Sequence, residues 1–235
     1  MDFRLTESQR HLKEQARIFA DSEILPHWSR LQKKEFPQDI YGKLVETGYT
    51  GAIINEKYGG AGLGTLDFFI ITEELCRADG GVGLSIGASQ SLVAKPLQIF
   101  GTDEQKNYWL PKIASGEVIA AYCQTEPNTG SDVSAIETKG VVDWTAGTVT
   151  FSGTKQFITN GSIAKLLMVL MRTGENKYNG LTWVLIDADK ARLDGTLIIE
   201  KDFDKHCLHC SPTSTIVFQN CVVPTLNILG GEEMG

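Results

Sequence analysis

"VIAAYCQTEPNTGSDVS", residues 118–134, is where the character of this chain changes. Val118, Ile119, Ala120 and Ala121 read as the start of a buried strand. Beyond Cys123 the chain turns to threonines, serines, two carboxylates, one proline and one glycine, a make-up that sustains neither a clean helix nor a clean strand. Such a segment is either an ordinary loop or a cradle for a ligand.

Upstream, the apolar residues repeat at helical spacing. Thr6 and Gln9 have the form of a capping box, followed by Leu12, Ala16, Phe19 and Ala20 on one face. A second helix is predicted from Asp39 to Glu46, ending near Gly48. After the glycine-rich loop "NEKYGGAGLG", Thr65 is placed to cap "LDFFIITEELCRA". "LSIGASQSLVAKPLQIF" reads as a further apolar helix, and Thr102 with Gln105 opens another capping box in "TDEQKNYWL".

Downstream of residue 118 the period shortens. "IETKGVV", "TVTFSG", "AKLLMVLMR", "LTWVLID", "GTLIIEK" and "STIVFQNCVV" are short, rich in β-branched residues and separated by Gly, Asn and Asp turns. Helices followed by strands predict an α+β fold: an N-terminal helical bundle over 1–117 and an antiparallel β-barrel-like domain over 118–235.

Composition excludes several classes. The chain has 235 residues, 42% of them hydrophobic, enough for a real core and too apolar for disorder. No stretch approaches the roughly 20 apolar residues of a membrane span, and "MDFRLTESQR" is charged and amphipathic rather than secretory. These features predict a cytoplasmic protein, or a mitochondrial-matrix one in a eukaryote, although no transit peptide is seen. Five cysteines without an export signal read as free thiols. A net charge of -7 argues against a nucleic-acid partner, so any phosphate must be held by local donors.

Several patterns match known motifs without their context. "GLSIG" around Ser85 has the nucleophile-elbow spacing, but no strand precedes it, and Ser85 reads as a small helix-packing residue. "GGAGLG" and "GGVG" do not complete a dinucleotide fingerprint and read as loop glycines. His206, Cys207, His209 and Cys210 are soft ligand types, with Cys221 downstream, but the run lacks the spacer of common zinc sites, so no metal is expected. The Asn160 sequon has no meaning without secretion.

The opening stretch has a partner in "SGTKQFITNGS", a strand end delivering Phe157, Ile158, Thr159 and Asn160 in a row. Two strand ends that each present a threonine either line one flat, polar-edged ligand or are simply hairpin ends with solvated hydroxyls.

Together these segments resemble the acyl-CoA dehydrogenase family, flavoproteins that oxidise acyl-CoA thioesters. That family's signature Y-C-x-T-E-P-x-x-G-S-D is met by Tyr122, Cys123, Thr125, Glu126, Pro127, Gly130, Ser131 and Asp132, and its W-I-T-N-G by Phe157 to Gly161. "YGGAGLG", "FGTDEQKNYWLPKIASGE" and "VFQNCVVPTLNILG" also look like family segments, so the resemblance covers essentially the whole chain but only the first two of the family's three domains.

The resemblance implies FAD as cofactor and α,β-dehydrogenation of an acyl-CoA, with electrons passing to an electron-transfer flavoprotein. It implies that Tyr122, Gln124 and Thr125 serve the pyrimidine edge of the flavin, that Thr159 lies by its N5 edge, and that Phe157, in place of a tryptophan, packs with Ile158 against the ring system. Gly130 gives clearance, and Ser131 offers a donor to FAD or to the CoA chain. Glu126 does not match the family's base. That base is expected in the C-terminal helical bundle into which the family continues beyond "ILGGEEMG", so no catalytic residue is assigned here. The same resemblance implies a homo-oligomer for the full-length protein. Related readings are a flavin oxidase or monooxygenase, or a non-catalytic flavin- or CoA-binding subunit. One segment departs from the family: Cys207, Leu208, His209, Cys210 and Ser211 stand where G-x-R-x-S is usual.

Overall fold

The computed structural model describes residues 4–232; the ends of "MDFRLTESQR" and "ILGGEEMG", residues 1–3 and 233–235, lie outside the described residues. Helix α1 (Glu7–Phe19) opens with the expected box, the Gln9 N–H donating to Thr6 Oγ1 at 3.2 Å and the Thr6 N–H to Gln9 Oε1 at 3.0 Å. After a π-helical turn over Ala20–Ile24 come α2 (Trp28–Leu31) and α3 (Gln38–Glu46), which stops at Gly48 in the left-handed region, φ 74°.

Helix α4 (Thr65–Ala78) differs from expectation at its start. Gly64, already extended at ψ 163°, takes the cap position, and Thr65 becomes the first helical residue with no capping bond. Helix α5 (Gly80–Gly87) corrects the reading of "GGVG" as a loop: those glycines form its first turn. The Asp79 carboxylate caps that turn, accepting from the Gly81 and Val82 N–H groups at 2.8 and 3.1 Å. Close packing accounts for Gly81, since a Cβ there would lie 2.7 Å from Cys210 Sγ. The helix continues through a π-helical stretch, Ala88–Ala94, into α6 (Lys95–Phe100); α7 (Asp103–Ala114) then opens with the second predicted box.

The second half is one seven-stranded sheet: β1 (Ala120–Cys123), β2 (Lys139–Asp143), β3 (Thr148–Thr159), β4 (Leu166–Arg172), β5 (Leu181–Asp187), β6 (Leu197–Ile199) and β7 (Thr213–Pro224). A short helix not anticipated from sequence, α8 (Ala188–Leu193), follows β5. The spatial order is β1-β4-β2-β3-β7-β6, with β5 also paired to β4. The α+β class is as expected, and most pairings are antiparallel. At one end the sheet is mixed, because β1 runs parallel to β4 (Ala120↔Leu166 to Cys123↔Val169) and β2 touches β4 in parallel at Lys139↔Arg172. A parallel pair needs a long crossover, and β2 and β3 supply the one between β1 and β4.

Alternation along β1 joins the two halves. Ala121 and Cys123 enter a core enclosed by the curled sheet, with Phe151, Val169, Val184 and Phe218. Ala120 points the other way, into a core that also holds Ile54, Leu97 and Leu110 from the helical half and Leu166 and Met168 from β4. All five cysteines are free; Cys123, Cys210 and Cys221 are buried, Cys76 and Cys207 exposed. Among the described residues, no helix is long and apolar enough to cross a membrane.

Candidate functional site

The two segments singled out by sequence meet. Beyond β1, the Thr125 carbonyl accepts from the Gln156 N–H at 2.8 Å, fastening the end of β1 to the far part of β3. There the β3–β7 register breaks between Lys155 and Ile158, and Phe157 takes φ 58°. A non-glycine residue in that region is uncommon and marks a backbone held by its surroundings. The break turns the Phe157 ring outward, 58% exposed, against Phe203 at 4.9 Å between centroids.

Most of the predicted residues cluster here, in different ways. Tyr122 lies on β1 with its ring 4.6 Å from that of Trp183, and its hydroxyl donates to Gln124 Oε1 at 2.8 Å. Burial raises the Tyr122 phenol above its ordinary pKa. The hydroxyls of Thr125, Ser131 and Thr159 have no hydrogen-bond partner among the described residues. Gly130 is exposed, and a Cβ there would meet nothing within 4 Å, so crowding inside the chain does not require glycine at this position. Ile158 is buried in the sheet core, so only its backbone can face a ligand.

Beneath this cluster lies a feature the sequence reading missed. Lys155, at 0% exposure, donates through Nζ to Glu126 Oε1 at 2.7 Å and to the Gln124 carbonyl at 3.1 Å. Glu126 also accepts from the Thr138 N–H and hydroxyl at 2.9 and 2.5 Å and from the Glu137 N–H at 2.6 Å. Only an ionised carboxylate can accept from all of these donors. Burial pushes its pKa up, but the bonds from Lys155, Thr138 and Glu137 and the Lys155 charge outweigh this, and it sits below the ordinary carboxylate value. Burial in turn lowers the Lys155 ammonium below its usual value, against the pull of Glu126. Glu126 is thus bound within the fold by Lys155, Thr138 and Glu137. The overlooked signal was positional: Phe151 and Lys155 occupy inward positions of one strand, and an inward lysine requires a buried partner.

Asn160 was also underrated. Fully buried at φ 64°, it donates its N–H to the Pro212 carbonyl at 2.8 Å, and its Nδ2 to the carbonyls of Ser85 at 2.9 Å and Ala120 at 3.3 Å. It thereby ties the end of β3 to β1 and α5. The divergent Cys207–Ser211 loop docks on the same helix: Cys210 Sγ donates to Asp79 Oδ1 at 3.2 Å, and the Ser85 and Ser211 hydroxyls lie 3.1 Å apart. Ser85 is therefore a packed helix residue, as expected. Among the described residues no group of three or more His, Cys, Asp or Glu is placed to hold a metal.

A helical half is joined to a curled mixed sheet, and the ends of β1 and β3 meet at a polar joint. Family models of the acyl-CoA dehydrogenase N-terminal domain and middle domain match residues 6–117 and 121–221. The chain belongs to the acyl-CoA dehydrogenase family. It is 36% identical to a probable acyl-CoA dehydrogenase, YngJ, of Bacillus subtilis over 100% of its own length and 61% of that relative's. Its fold matches butyryl-CoA dehydrogenase of Megasphaera elsdenii with a TM-score of 0.88 and 36% identity, covering 100% of this chain and 61% of the other. An acyl-CoA dehydrogenase from Bacillus anthracis complexed with FAD matches at 0.86 and 29% identity, over 96% of this chain and 38% of that one. The chain spans about three-fifths of the first two proteins.

Proposed function

We propose that this chain provides the FAD cradle of an acyl-CoA dehydrogenase that converts an acyl-CoA thioester to a trans-2-enoyl-CoA and passes the electrons to an electron-transfer flavoprotein. The observation that carries the reading is the joint at Thr125 and Gln156, which brings two separate motifs together beside the exposed Phe157 ring while the Thr125 and Thr159 hydroxyls have no partner among the described residues. Those groups suit a flat ligand with a polar rim: donors at the rim, a ring to pack on its face, and open space at Gly130 for a phosphate-bearing tail.

In this reading Tyr122, Gln124 and Thr125 hold the pyrimidine edge by backbone groups and the threonine hydroxyl. Thr159 stands by the N5 edge, Phe157 and the Ile158 backbone pack against the ring system, and Ser131 serves FAD or the CoA chain. Fixed donors on the pyrimidine edge favour negative charge there. When bound, FAD supplies the acceptor for the hydride leaving the β carbon. No base is assigned among the described residues, since Glu126 is committed to its own donors. The domain division at residue 117/118 belongs to the same proposal, as does homo-oligomerisation of the full-length protein.

Purified protein is expected to show flavin absorption bands that bleach anaerobically on addition of an acyl-CoA. A colourless protein that takes up no FAD would sink the cradle; a yellow one that no acyl-CoA bleaches would leave the cradle and sink the dehydrogenation.

A further inference from the structure

We propose that the buried Lys155–Glu126 pair is the positioning device of this cradle, fixing the Gln124 and Thr125 peptide groups and placing two opposed charges directly behind them. The proposal rests on the reading of the cradle as an FAD site.

Lys155 and Glu126 are 0% and 4% exposed, and a buried ion pair is poor evidence for stability, because desolvation cancels much of the attraction. Their arrangement is better explained by what it holds. Nζ of Lys155 divides its bonds between the Gln124 carbonyl and the Glu126 carboxylate, so one ammonium grips the loop on both sides of Thr125. The Glu126 backbone is fixed as well, its N–H donating to the Thr129 carbonyl at 2.8 Å and its carbonyl accepting from the Thr129 N–H at 3.1 Å. The next residue of β3, Gln156, donates to the Thr125 carbonyl. The three residues from Gln124 to Glu126 are therefore clamped by two consecutive residues of β3, Lys155 and Gln156, at the start of the register break that exposes Phe157. A ligand edge resting on Gln124 and Thr125 would feel both the geometry and the balance of charge behind them, in a medium where charges are weakly screened.

The two halves of the pair make opposite predictions. Lys155→Met leaves a carboxylate behind the cradle, which disfavours added electrons on a bound flavin; Glu126→Gln leaves an ammonium, which favours them. Flavin midpoint potential by spectroelectrochemistry and the FAD dissociation constant by titration of apoprotein read the two roles separately. Lys155→Met is expected to lower the potential and Glu126→Gln to raise it, each weakening FAD binding about tenfold. The double variant should return the potential toward wild type while binding stays weak. Singles with wild-type potential and affinity, or shifts of the same sign, overturn the proposal. If the singles do not fold, Thr138→Val removes one hydroxyl bond to Glu126 and keeps both charges; FAD binding is expected to weaken about threefold, and unchanged binding overturns the proposal. Wild-type protein that binds no FAD overturns the functional reading and this inference together, whereas FAD-binding wild type with indifferent variants overturns this inference alone.

Discussion

Glu126 shows how a motif residue acquires its role from neighbours that the motif does not contain. Its folded pKa lies below the ordinary carboxylate value, so it contributes stability above that value and loses it as the pH falls through the folded pKa. Wild type should therefore lose thermal stability on acidification below about pH 5, and Glu126→Gln, less stable at about pH 7, should show a flatter acid limb in the same melting series. Asn160 combines a left-handed backbone with two side-chain bonds to distant carbonyls. Asn160→Ala should cost about 2 kcal/mol in denaturant titrations, and Asn160→Gly less, because glycine keeps the backbone freedom while losing the bonds. The polar residues after β1 stood out in the sequence because their types are abnormal beside a strand. Lys155 and Asn160 did not, since their partners lie far away in sequence and only the folded register reveals them.

Helix starts were legible where a capping box stands in front of a helical repeat, as at Thr6 and Thr102. They were misread where glycine intervened. Gly80, Gly81 and Gly83 disfavour a helix by intrinsic propensity, yet α5 begins there because Asp79 caps it and the Cys207–Ser211 loop packs close against it. The six-residue α8 escaped notice because it is too short to show a period. Thr102→Ala should cost about 1 kcal/mol in thermal or urea unfolding. Asp79→Ala should cost more, about 2 kcal/mol, because two helix N–H groups and the Cys210 thiol lose their acceptor at once.

At the scale of the molecule, the change of period at residue 118 correctly announced helices then strands, but not the parallel pairing of β1 with β4, which is a long-range register. That pairing places Ala120 and Leu166 in a core shared with the helical half. Heat should therefore melt both halves in one transition, with far-UV and near-UV circular dichroism superimposing. Leu166→Ala, at a fully buried site of that core, should shift both signals together and cost about 2–5 kcal/mol. Two resolved transitions would show that the halves fold independently.

The distribution of thiols gives the molecule an internal clock. Cys76 and Cys207 meet solvent, whereas Cys123, Cys210 and Cys221 are sealed in, the Cys123 thiol pushed up to about 12 by burial despite the Lys155 charge nearby. An alkylating reagent should thus add mass in two instalments, an early one at the exposed pair and a late one whose tempo reports how often the interior breathes. Cys210 would time the loop leaving α5, and Cys123 the rarer parting of the strand behind the cradle.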